Sequence, residues 1–164
     1  MVRLVAVVLV FAACNTQDGL VELGSPTEVD ENYYRCNVQP VLSARCAFVA
    51  CHGTDERPLL VYAEQKLRLG IEWIDYQTPL TAAERAANFR TLRDFVARGP
   101  GDPDLLADKP LDVAAGGLFH GAKDQFGRDD VFLSRDDPGY QIMRAFIAGE
   151  VAADSCSVTD EVGL

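Results

Sequence analysis

Two thiols and an imidazole fall within seven consecutive residues, Cys46-Ala-Phe-Val-Ala-Cys51-His52, of a 164-residue chain that holds five cysteines and two histidines. At this composition a Cys-His pair with another cysteine five residues ahead of it is expected by chance roughly 0.002 times, so the grouping calls for a chemical account. Whatever the fold, Cys46, Cys51 and His52 must come together at one place. The residue types leave several uses open there. They could form a disulfide between Cys46 and Cys51, half of a zinc site without its second ligand pair, or a covalent hold on a cofactor whose metal His52 can reach.

The N-terminus bears on this choice because it suggests an oxidising compartment. Residues 1–13 contain Arg3, an apolar run over residues 4–11, and then Ala12 and Ala13 directly before Cys14, which is the layout of a short secretory signal. Small residues ahead of a cysteine resemble a bacterial lipobox, so Cys14 is expected to carry lipid and to become the new N-terminus. No stretch reaches the roughly 20 apolar residues of a membrane-spanning helix. The formal net charge is −10, and losing Arg3 with the signal makes the mature chain −11. Nucleic acid is therefore excluded as a partner, whereas a protein with a basic docking patch is favoured, through steering that salt weakens.

Local signals divide the remainder into a flexible tether over residues 14–31, polar and acidic without a sustained period, and one domain over residues 32–164. Val38, Val41, Leu42 and Arg45 follow helical spacing, with Pro40 expected in the first turn of a helix that delivers Cys46. Residues 58–77 fit short strands about as well as helix fragments. Thr81 with Glu84 three residues on forms a capping box, and Phe89, Leu92, Phe95 and Val96 then line a helix that Gly99 and Pro100 end. The glycine- and proline-rich stretch over residues 99–126 reads as loop. Asp136 or Asp137 can cap a last helix, with Pro138 in its first turn and Tyr140, Met143, Phe146 and Ile147 on its apolar face, packed against the first helix. The fold class is mainly α with long loops.

Cys46-x4-Cys51-His52 resembles the c-type haem attachment motif Cys-x-x-Cys-His widened by two residues, so that the extra length must bulge out if the sulfurs are to keep their separation. Its surroundings are similar to the single-haem, planctomycete-type cytochrome c domains of exported bacterial lipoproteins. The matching pieces are Val38-Gln39-Pro40-Val41-Leu42, Gly53 after His52, Leu105-Leu106-Ala107-Asp108-Lys109-Pro110-Leu111, Gly116-Gly117 with His120, and residues 140–149. Phe146 stands where such domains carry tryptophan.

The resemblance implies a small cytochrome c-like helical domain with long loops around one covalently bound haem c. Cys46 and Cys51 would be the thioether residues and His52 the proximal iron ligand. Outside the signal only His120 and Met143 can supply a second axial ligand. His120, in a glycine-flanked loop, is expected to fill the distal position, and Met143 is the alternative. Cys36 and Cys156 flank the first and last helices, which must cross if both cover the haem, and are expected to form a disulfide.

With both iron faces occupied, the resemblance implies electron transfer to a redox partner protein, without catalysis or a small-molecule substrate. The expected location is the periplasmic side of a bacterial membrane, more specifically the outer membrane, through the lipid at Cys14. Two rivals stand beside it: a disulfide-stabilised structural or docking lipoprotein without haem, and a small haem enzyme or gas sensor with an open iron position.

Overall fold

The computed structural model describes residues 28–70, 78–96, 104–120, 131–152 and 156. Among the described residues all regular structure is helical, apart from one isolated parallel bridge between Leu111 and Phe132.

The first helix, α1, occupies residues 31–45 in three consecutive pieces: an α-turn Glu31–Tyr33, a π-helical stretch Tyr34–Val38 and an α-helix Gln39–Arg45. It begins earlier than its apolar spacing suggests, because the Asp30 carboxylate accepts the Tyr33 N–H as an N-cap. Val29 is already buried, so the end of the expected tether belongs to the folded unit. Pro40 lies in the first turn of the α-helical piece Gln39–Arg45, as expected, but the π stretch runs into that piece without a break, so the proline still has helical chain ahead of it. An interior proline removes a ladder hydrogen bond and crowds the carbonyl four residues back. The wider π turn directly ahead, in which the Gln39 N–H reaches back to the Tyr34 carbonyl, relieves that conflict. Tyr34, Val38 and Leu42 form the buried stripe of α1.

Helix α2, Ala82–Phe95, starts at a complete capping box: Thr81 accepts the Glu84 N–H, and the Glu84 carboxylate accepts the Thr81 N–H. Glu84 does more than cap. Its side chain is fully buried, pairs with Arg68 at 2.8 Å and also accepts the Leu69 N–H, so the loop ahead of α2 is bound to the helix start. Residues 58–70, whose pattern favoured neither helix nor strand, form neither; Val61 and Ala63 are buried within irregular chain, and residues 71–77 lie outside the described set.

The glycine-rich region contains a short helix α3, Leu105–Asp108, and a 3-10 turn Val113–Ala115. The last helix, α4, is Pro138–Ile147; Asp137 caps it by accepting the Gly139 N–H, and Tyr140, Met143, Phe146 and Ile147 are buried. Gly99 and Pro100, expected to end α2, lie outside the described residues.

The core is organised around α1. Tyr34 packs its ring 5.4 Å from that of Phe89 on α2 and 6.2 Å from that of Phe146 on α4. Arg45, at the end of α1, forms a 2.8 Å ion pair with the α4 cap Asp137. Cys36 in the π stretch is joined to Cys156 by a disulfide, S–S 2.04 Å. Val38, Leu42, Leu92, Leu111 and Phe146 are essentially solvent-free, each contributing about 1.5–3 kcal/mol of hydrophobic stabilisation.

Candidate functional site

Helix α1 ends where the chemistry begins. The N–H groups of Cys46 and Ala47 both return to the Leu42 carbonyl, at 2.9 and 3.0 Å, closing the last turn. The chain then makes a tight loop in which Cys51 and Gly53 donate to the Phe48 carbonyl and His52 donates to the Cys46 carbonyl at 3.0 Å. That last bond shuts the loop at its base, so the additional residues are pushed outward, and Val49 at the tip is 75% exposed. Gly53 is fixed by the same closure, since a Cβ there would lie 2.2 Å from the Ala47 carbonyl oxygen. Phe48 stays partly covered beneath the Lys66 ammonium, 3.7 Å from its ring centre.

Cys46 and Cys51 are thiols, not joined to each other. Burial, together with the nearby Cys51, pushes the Cys46 thiol up to about 12, which keeps it protonated at neutral pH.

His52 is oriented by its own downstream chain. Its Nδ1 lies 2.8 Å from the Leu59 carbonyl oxygen, an acceptor only, so Nδ1 carries the hydrogen and the Nε2 lone pair remains available. This backbone anchoring of the far ring nitrogen is how ligating histidines are generally held. Burial pulls the His52 pKa down; the Leu59 bond opposes that, and the cations Arg57 and Lys109 add to it. The ring is therefore neutral at neutral pH, as a ligand must be.

The second histidine arrives from the loop after α3. There Gly116 turns with a φ of +90°, and Gly117 lies so close to Leu111 that a Cβ would stand 1.9 Å from the Leu111 carbonyl oxygen. Gly117 thus serves the chain's approach to its own backbone, and Gly116 supplies the left-handed turn ahead of it. Leu118 then donates to the Asp108 carbonyl at 2.9 Å, and His120 comes to face His52 with ring centres 6.0 Å apart and planes inclined by 25°. Burial, followed by His52, Lys109 and Arg57, pulls the His120 pKa down as well. Its buried Nδ1 has no hydrogen-bond partner among the described residues.

The two rings line a cavity of about 220 Å³ together with Cys51, Leu59, Leu106 and Lys109. Met143 and Cys46 are not among its described lining residues: Met143 is 2% exposed within the hydrophobic core, and Cys46 packs against that core at the end of α1. Among the described residues no three His, Cys, Asp or Glu side chains are grouped to hold a metal ion by themselves. Cys14, the expected lipid site, lies outside the described residues. Sequence reasoning overlooked the Leu59 carbonyl and the cations Arg57 and Lys109. Arg57 follows His52 by five residues, but only the fold brings Lys109 to the same cavity.

No protein-family model, curated protein or solved structure matches the chain.

Proposed function

We propose that the chain is a c-type cytochrome that carries one covalently held haem and passes electrons, anchored by lipid at Cys14 on the periplasmic side of a bacterial membrane. The observation that carries this reading is the facing pair His52 and His120. A metal–nitrogen bond of about 2.0–2.1 Å to each histidine, with the nitrogen about 1.1 Å from the ring centre, would allow ring centres up to about 6.3 Å apart. The observed 6.0 Å is close to that separation.

Three further features fit the same group. The Nδ1-anchored His52 keeps Nε2 open toward a metal. His52 and His120 are of a residue type that ligates haem iron. Cys51 borders the cavity, and Cys46 lies at the base of the same closed loop. At about 220 Å³ the cavity is smaller than the roughly 300–1,000 Å³ of whole small-molecule sites, so the described walls would enclose one edge of such a group.

In this reading Cys46 and Cys51 would hold the haem through thioethers, each formed by addition of the thiol S–H across a vinyl group, so that attachment would need no oxidant. His52 and His120 would be the iron ligands and would deny the iron to substrate, which favours electron transfer over catalysis. Haem supplies a one-electron ferric–ferrous couple. The acidic chain, −10 in formal charge, would be steered toward a partner with a basic patch.

Co-expression with a haem-attachment system tests this. The expected product is red, has the mass of the chain plus one haem, retains its colour in acidic acetone, and is low-spin in both oxidation states. Colourless protein would favour a structural or docking lipoprotein, and a high-spin spectrum that responds to carbon monoxide would favour a haem enzyme or sensor.

A further inference from the structure

We propose that Arg57 and Lys109 form a two-cation clamp for the carboxylate side chains of the bound macrocycle, an inference that rests on the haem reading above. Both residues line the cavity that His52 and His120 border. Each arises from one histidine's own segment: Arg57 follows His52, and Lys109 closes α3 on the way to His120, its N–H returning to the Leu105 carbonyl. Both are exposed, so their charged ends belong to the cavity rim and the apolar side chains of Leu59 and Leu106 to its wall.

Four cations elsewhere in the fold are engaged by carboxylates. Arg45, Arg68, Arg135 and Arg144 pair with Asp137, Glu84, Asp108 and Asp104. In a chain with 25 acidic residues against 15 basic ones, carboxylates are plentiful. Among the described residues Arg57 and Lys109 have no acidic partner, as is also true of Arg90 and Arg93, but only Arg57 and Lys109 of these four line the cavity of the two histidines. Two cations beside one cavity repel each other and oppose any positive charge on the neighbouring imidazoles. A ligand bearing two carboxylates removes that conflict through charge-assisted hydrogen bonds, and a guanidinium can hold one of them bidentately. Haem combines the three features this cavity asks for: a metal for two neutral histidines, an apolar edge for the leucines, and two carboxylates for the cations.

The test uses the full chain loaded with haem in cells, as parent and as Arg57→Gln, Lys109→Gln, Lys109→Arg and Arg90→Gln. Arg90 is an exposed cation of α2 that does not line the cavity. Mass counts covalent haem, a redox titration gives the midpoint potential, and redox-difference infrared spectra follow the haem carboxylate bands. All variants should carry one haem. Arg57→Gln and Lys109→Gln should lower the potential, because losing a nearby positive charge favours oxidised iron, and should shift the carboxylate bands. Lys109→Arg should restore the parent potential, and Arg90→Gln should leave it unchanged. Potentials in Arg57→Gln and Lys109→Gln that match Arg90→Gln, or carboxylate bands that do not move, overturn the clamp. A parent without covalent haem overturns the haem reading itself.

Discussion

Gly117 offers a sharp test of how the fold aims His120. An alanine Cβ there would lie 1.9 Å from the Leu111 carbonyl oxygen and 2.8 Å from the Leu111 Cβ, whereas real Cβ atoms essentially never approach closer than 3.0 Å. Gly117→Ala must therefore push the chain away from Leu111 by about 1.1 Å, three residues before His120. Leu111 is fully buried and bridged to Phe132, so the moving partner should be the loop. Metal–ligand distances hold to within about 0.2 Å, so in the proposed cytochrome a displacement of this size would break an iron bond from His120. Overpacking of this kind costs about 1–3 kcal/mol, or roughly 3–10 °C in Tm for a domain of this size. Gly116→Ala is the matched control. Its φ of +90° strains an alanine by about 1–2 kcal/mol, but the nearest obstacle, at 3.1 Å, is the end of the flexible Arg135 side chain. In the haem-loaded protein, Gly117→Ala is expected to raise the high-spin fraction and admit carbon monoxide, with covalent haem unchanged by mass, while Gly116→Ala stays low-spin. A Gly117→Ala protein with parental spectrum and Tm would refute the close-approach argument.

The axial pair itself is tested by His120→Ala, which should open the sixth position and bind carbon monoxide, and by Met143→Leu, which should cost under about 1.5 kcal/mol and leave the visible spectrum unchanged. A sulfur-ligand absorption band in the parent that Met143→Leu abolishes would move the distal role to Met143. Glu84→Gln should cost about 3 kcal/mol in urea denaturation, since Arg68, only 6% exposed, loses its buried countercharge. Burial alone would raise the Glu84 pKa, but bonds from Arg68, Leu69 and Thr81 hold it at about 2 against an ordinary 4.5. A carboxyl held down in this way contributes its stability above the ordinary value and loses it as pH falls toward 2. Urea titrations of Glu84→Gln between these limits should therefore show a flatter decline than the parent, and identical slopes would exclude the role. Cys36→Ser should lower stability by about 4–5 kcal/mol, because the bridge to Cys156 closes a loop 120 residues long; an unchanged urea midpoint would count against it.

What could be read from the sequence was set mainly by the range of the interaction. The Thr81–Glu84 capping box and the Asp137–Pro138 start of α4 depend on neighbours three residues apart or fewer, and both caps form as local rules require. Residues 58–70 had no period, and the irregular chain found there is held by long-range bonds instead: Val61 donates to the His52 carbonyl, and Asn88 on α2 accepts the Tyr62 N–H. Nothing near residue 84 in sequence foretells that its carboxylate also neutralises Arg68. Pro40 follows its local rule and stands in the first turn of Gln39–Arg45, but the π stretch that continues the helix ahead of it left no sign in the spacing.

The candidate site divides along the same line. Cys46, Cys51 and His52 are adjacent, so their association needed no fold, and the outward bulge of Val49 follows from spacing alone once the His52 N–H closes on Cys46. The sequence favoured His120 over Met143 as a partner of His52 because of its glycine-flanked loop and the resemblance; in the fold His120 stands 6.0 Å from His52 and Met143 is buried in the core on α4. The approach of His120 depends on Gly117, whose missing Cβ leaves room for the Leu111 carbonyl, a contact that the sequence does not show. The contacts that aim His120 are thus made within the protein chain itself. The distal loop should consequently keep its position in haem-free protein, and amide exchange of residues 111–120 is the measurement that decides it. Protection at Gly117 and Leu118, whose N–H groups bond to Asp112 and Asp108, would show a preformed loop, and its loss without haem would mean that the cofactor orders it.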